Sequence, residues 1–254
     1  MTLWTAQAGA LIVPTGLVLA QSPEVVLLAN TLIDDSGSIE SNKNTQYIID
    51  GYNGALEDDY VNSTDQTRQV LMSTAFFTGG WLCQAVKPED APRLTRSNYH
   101  PVHSTPLFQA SKAMLEFVSN AAAYLMARGF EVFSLTTIMT DGGQYPRTHQ
   151  PSHVKPIADK LQLDSRHVVG GVAVHDGSTP FKEIFDRMGV SPDHRKLLGG
   201  MKKGDRSQRG RDIRRGAAQT MGAGARSQTD RRTWQEETSR LFSIDELNAG
   251  DEND

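Results

Sequence analysis

The chain has 254 residues, a single cysteine and a formal charge of −4. That length fits one large domain, or one domain with an appendage, and such a chain needs no covalent staple to bury a core. A lone Cys83 excludes an intramolecular disulfide and a zinc site built from thiolates alone, and it fits a reducing, cytoplasmic compartment; the mild charge points to neither a nucleic acid nor a membrane as partner.

Residues 1–22 open with an apolar stretch broken by Pro14, Thr15 and Gly16. It is too short to span a bilayer and lacks the positive lead of a secretory signal. Two short strands, 10–13 and 17–20, joined by a "PTG" turn are expected there. Residues 24–33 form a nearly continuous apolar run, as in a strand of a parallel sheet covered on both faces. Asn30 and Thr31 interrupt it and need partners if buried. Tyr47, Ile49, Tyr52, Leu56 and Tyr60 recur at helical spacing, which predicts a helix over 44–60 despite Gly51 and Gly54.

"QVLMSTAFF" and "WLCQAV" flank "TGG" and read as a hairpin, the second strand lying antiparallel at a sheet edge, with Cys83 in the core. Residues 87–103 hold three prolines and no period, so they read as loop. A helix over 106–128 follows, with Leu107, Phe108, Leu115, Val118, Ala122, Leu125 and Met126 on one stripe and Gly129 as its stop. "EVFSLTTIM" is a strand ending at "TDGG", 154–163 a helix, "HVVGGVAV" a strand and "TPFKEIFDRMG" a helix. Strands and helices alternate, which predicts a doubly wound α/β sheet.

No convincing sixth strand follows Gly189. Either it is short and polar, or "LIVPTGLVLA" fills an edge. A domain over 23–200 and a flexible tail over 201–254 are expected. From Arg195 to Arg232 there are twelve Lys or Arg against three Asp, and the chain then turns acidic, ending "DELNAGDEND". "TWQEETSRLFSIDELN" can form one short helix within that tail.

Three oxygen-bearing segments sit at element ends. Asp34, Ser36 and Ser38 in "DDSGS" follow the first parallel strand, Thr105 precedes the long helix, and Asp141 follows "EVFSLTTIM". Open α/β sheets bind ligands beyond the carboxyl ends of their strands. The i, i+2, i+4 spacing lets alternate side chains converge in a turn, and carboxylates with hydroxyls suit a hard cation such as Mg²⁺ or Mn²⁺. Plainer readings stand beside this one: Ser36 or Thr105 as a helix cap, and Asp141 as an Asp-Gly turn. His100, His103, His149 and His153 read as surface loop residues rather than zinc ligands.

"DDSGS", Thr105 in "HSTPLFQA" and Asp141 in "IMTDGG" together resemble the metal-ion-dependent adhesion site of the von Willebrand factor A domain family. The resemblance spans about residues 24–189 and includes the antiparallel edge hairpin. It implies a Rossmann-like, mostly parallel sheet with helices on both faces. It also implies Mg²⁺ (or Mn²⁺ or Ca²⁺) held by Asp34, Ser36, Ser38, Thr105 and Asp141. The function implied is protein binding, with an Asp or Glu of the partner completing the metal shell, as in adaptors among bacterial relatives. Asp35 adds a charge whose role the motif leaves open. Two other classes stay in view: a metal-dependent phosphohydrolase, and an RNA-binding protein using the basic tail over 202–232.

Overall fold

The structure, a computed structural model, describes residues 25–61, 68–145, 150–174, 178–198, 211, 214–216, 218–220, 222 and 234–243. The first apolar run forms β1 (Val25–Ile33), and the hairpin forms β2 (Arg68–Phe76) and β3 (Trp81–Val86). Later strands are β4 (Glu131–Thr140), β5 (His167–Val174) and β6 (Arg195–Leu198). They make one six-stranded sheet in the order β3-β2-β1-β4-β5-β6. Every pairing is parallel except β2 with β3, which is antiparallel and carries register shifts. Gly79, in the hairpin turn, takes a positive φ of 99° that a side chain would resist.

The sixth strand is present after Gly189, as the short and polar one of the two alternatives. It is only "RKLL". Lys196 is buried in it, with its Nζ donating to Gln219 Oε1 at 2.8 Å. A four-residue edge strand with two cations carries too few apolar positions to read as a strand. The expected strands over 10–13 and 17–20 lie outside the described residues.

Helices cover both faces. On one face α3 (Leu107–Met126), α4 (Lys155–Gln162) and α5 (Phe181–Met188) pack over Leu32, Ala75, Ile138 and Val169. On the other, a one-turn α1 (Gly37–Ser41) leads into α2 (Thr45–Gly54), which packs over Leu27, Ile33 and Phe133. The helix expected over 44–60 is therefore two pieces: after Gly54 the chain widens into a π-helix, Ala55–Val61. The same face takes α6 (Trp234–Ser243), the short helix expected near the end of the chain, through buried Trp234 and Phe242. α3 and α5 begin one or two residues later than expected, directly after Pro106 and Pro180.

The pair "GG" in β5 shows how closely the layers meet. A Cβ on Gly170 would lie 2.3 Å from the Phe242 ring, and one on Gly171 would lie 2.8 Å from Phe185. Adjacent strand residues face opposite sides, so each glycine admits one aromatic ring on one face. The side-chain amide nitrogen of Asn30 donates to the Leu28 and Leu135 carbonyls at 3.1 and 3.4 Å, while its buried Oδ1 has no hydrogen-bond partner among the described residues. Cys83 is buried in β3.

Candidate metal centre

β1 pairs with β2 on one side and β4 on the other, so the strand order reverses at the β1–β4 boundary. The carboxyl ends of those two strands deliver Asp34 and Asp141, both fully buried. Asp34 is fixed first by backbone: its amide donates to the Met139 carbonyl at 3.0 Å, which extends the β1–β4 ladder by one rung. Its side chain then accepts from the Ser36 amide at 2.8 Å and from the Thr140 hydroxyl at 2.6 Å. Tyr99, stacked on Phe76 with ring centres 5.7 Å apart, donates its hydroxyl to the Asp34 carbonyl at 2.5 Å.

The hydroxyls converge. Ser36 Oγ lies 2.8 Å from Ser38 Oγ, and Ser38 donates to Asp141 Oδ1 at 2.5 Å. Asn42, one turn beyond Ser38, donates to Asp141 Oδ2 at 3.2 Å. A methyl placed on Gly142 would lie 3.8 Å from Ser38 Oγ and 4.0 Å from Thr105 Oγ1. The loops after β1, before α3 and after β4 therefore meet over one spot. Asp34, Ser36, Ser38, Thr105 and Asp141 are brought together there.

The capping readings do not describe the two hydroxyls. Ser36 stands at the N-cap of α1 but makes no side-chain cap bond. Pro106, not Thr105, occupies the N-cap of α3, and Gln144 Oε1 accepts the Phe108 amide at 2.8 Å in place of a cap. The Thr105 carbonyl in turn accepts from the Tyr145 amide at 2.8 Å, which ties the loop after β4 to the start of α3.

Asp35 turns away from this cluster. Its carboxylate accepts from the amide and the hydroxyl of Thr78, in the β2–β3 turn. Its carbonyl accepts from the His103 amide at 3.2 Å, while Gly37 N–H donates to the His103 carbonyl at 2.9 Å. Asp35 thus fastens the hairpin and the 100–105 loop around the site. Burial pushes its carboxyl above the usual range, and the Thr78 bonds oppose this.

Burial acts more strongly on Asp34 and pushes its carboxyl up to about 7, against the hydrogen bonds from Ser36 and Thr140. The negative charge of Asp141 pushes the same way as burial. Tyr99 is raised well above its ordinary value, first by burial and then by the nearby carboxylates. A divalent cation among these oxygens would reverse the balance, since an opposite charge favours the ionised carboxylate. Two carboxylates and three hydroxyls are hard oxygen donors, so the residues fit Mg²⁺ or Mn²⁺ and offer nothing to a thiophilic metal. Among the described residues, no group of three or more His, Cys, Asp or Glu side chains could hold a metal ion; His149 lies outside them.

Sequence reasoning missed Thr140, Tyr99, Asn42 and Thr78. Only Thr140 carried a signal, as the strand residue directly before Asp141.

No protein-family model matches the sequence, and no curated protein matches it. Solved structures do. Proximal thread matrix protein 1 from the mussel byssus superposes with a TM-score of 0.53 at 16% identity, over 80% of this chain and 48% of that one. Manganese-loaded Plasmodium vivax TRAP protein gives 0.47 at 17% identity, over 69% of this chain and 68% of that one. The human COPII-coat protein Sec24c gives 0.45 at 10% identity, over 78% and 32%. The chain thus spans about half of the mussel protein. At such identities the likeness speaks to fold alone. The fold is the doubly wound α/β arrangement of von Willebrand A-type domains. Among the described residues, no helix is long and apolar enough to cross a membrane.

Proposed function

We propose that this chain is a divalent-metal-dependent protein-binding domain. Asp34, Ser36, Ser38, Thr105 and Asp141 hold Mg²⁺ or Mn²⁺, directly or through water, and an Asp or Glu of a protein ligand completes the shell. One observation carries the reading: three loops at the strand-order reversal bring two buried carboxylates and three hydroxyls to one spot, linked by the Ser36–Ser38–Asp141 hydrogen bonds. With two carboxylates the site neutralises one divalent charge, so no excess protein charge repels an incoming carboxylate.

The surroundings suit a protein ligand. Val102 is 69% exposed and Tyr145 is 67% exposed. Val102 adjoins Gly37, and Tyr145 is bonded to the Thr105 carbonyl. Apolar side chains held out beside a hard-cation site offer contact area around a single charged bond, the pattern of a binding hot spot with a polar anchor.

The test is capture of protein ligands by wild type and by Asp34→Ala, each with Mg²⁺ and with EDTA. Ligands retained by wild type in Mg²⁺ and lost in the other three arms support the reading. Ligands retained equally in all four arms overturn it.

A further inference from the structure

The peptide group that joins Asp34 to Asp35 is held from two sides. On one side Tyr99 donates its hydroxyl to the Asp34 carbonyl at 2.5 Å. On the other, the Thr78 amide donates to Asp35 Oδ1 at 3.2 Å, and the Thr78 hydroxyl donates to Asp35 Oδ2. Neither Tyr99 nor Thr78 is among the five proposed metal ligands. The turn is still extended at Ser36, with φ −75° and ψ 158°, and successive side chains of extended chain point to opposite sides. The setting of the Asp34–Asp35 peptide therefore decides which carboxylate joins Ser36 and Ser38 and which turns to the hairpin.

Tyr99 is itself anchored away from the site. Its buried ring stacks on Phe76 at the end of β2. The loop before it is tied to α2 by reciprocal bonds: Asn53 Nδ2 donates to the Leu94 carbonyl at 2.8 Å, and Asn53 Oδ1 accepts from the Leu94 amide at 2.9 Å. The Tyr99 amide donates to the Thr95 carbonyl at 3.0 Å. Beyond Tyr99 the same loop pairs with the turn, His103 bridging to Ser36, and then delivers Thr105. The Tyr99 hydroxyl thus arrives on a frame set by α2 and β2. A donor already fixed by packing loses little further freedom on making its bond.

We propose that Tyr99 and Thr78 are positioning residues of the metal centre: by fixing the Asp34–Asp35 peptide they turn Asp34, with Ser36 and Ser38, toward the cation and Asp35 away from it. This rests on the metal-site reading above. Their contribution is alignment of the ligands before the cation arrives, since a site that must order its ligands on binding loses affinity. Removing either hydroxyl leaves all five ligands in place. Metal binding therefore weakens without vanishing, as when an outer partner of a ligand is lost.

Calorimetric Mg²⁺ titration of the full-length chain tests this on wild type, Y99F, T78V, T78S and the control Y52F, with thermal unfolding of each in EDTA. Y99F keeps the ring that stacks on Phe76 and loses only the hydroxyl. Y52F likewise loses a buried hydroxyl, one that lies 3.2 Å from Thr74 Oγ1 and makes no bond to the turn. Mg²⁺ affinity is expected to fall about tenfold in Y99F and at least about threefold in T78V, one bond further out. T78S, which restores the hydroxyl, should recover wild-type affinity, and Y52F should keep it whatever its melting temperature. If Y99F does not fold, T78V against T78S decides. Wild-type affinity in folded Y99F or in T78V, or an equal loss in Y52F, overturns the inference and leaves the metal site standing. No Mg²⁺ binding by wild type overturns the metal site, and the inference with it.

Discussion

At the amino edge of the sheet, Asp164 lies against Arg166, whose Nε donates to both carboxylate oxygens at 2.9 and 3.0 Å, and Glu131 stands 4.0 Å from the same guanidinium. Those bonds hold the Asp164 carboxyl down at about 2. At the carboxyl edge, Asp34 receives bonds from Ser36 and Thr140, and the charged neighbour among its leading influences is Asp141, of like sign. Its carboxyl is pushed up to about 7. One edge meets its negative charge from within the chain. The other gathers buried carboxylates among hydroxyls. Buried like charges are costly to a fold, and they cluster where function needs them. The contrast supports the binding role proposed for the carboxyl edge and a structural role for the amino edge.

The largest effect expected is on stability, away from the site. Trp234→Ala removes a fully buried indole from Phe133, and chemical denaturation should show a loss of about 3–5 kcal/mol. Mg²⁺ affinity of the folded protein should not move. Next, Asp141→Ala should weaken Mg²⁺ binding by at least about 100-fold, more than loss of an outer hydrogen-bond partner, while thermal unfolding in EDTA stays cooperative. Thr140→Val removes a hydroxyl that donates to Asp34 and accepts from the Gly142 amide; calorimetry should show about a tenfold loss of metal affinity.

pH separates the edges by sign. Asp34 is raised in the folded protein, so its contribution is full below the unfolded value of 3.8 and is lost as pH rises through about 7. Metal-free protein should therefore melt lower at pH 8 than at pH 5.5, and saturating Mg²⁺ should narrow the gap. Asp164 is depressed, so its contribution is present above 3.8 and is lost as pH falls through about 2. The pair is partly solvent-exposed, so Asp164→Asn should cost less than about 1 kcal/mol at pH 7 and leave Mg²⁺ affinity unchanged. An equal loss of metal affinity in D164N and D141A breaks the comparison.

The core of this picture was legible in the residues because its signals are local or lie at element ends. Asp34, Ser36 and Ser38 share one turn. Asp141 and Thr105 adjoin a long apolar strand and the longest amphipathic helix. β6 was not legible, because it is only four residues long and its buried Lys196 is bonded to Gln219, a distant polar residue. Tyr99 was not legible either, since it sits in a proline-rich loop without a period and meets Asp34 across 65 residues. The role of Asp35 depended on Thr78, which only the folded hairpin brings near. The purpose of Gly170 and Gly171 was not legible either, since it lies in the rings of Phe242 and Phe185, which leave no room for a side chain.

The most direct test is calorimetric titration of Mg²⁺ into wild type and Asp34→Ala at pH 7.5. The account predicts one site per chain in wild type, no measurable binding in the variant, and cooperative unfolding of both. Equal binding by both proteins, or no binding by wild type, would contradict it.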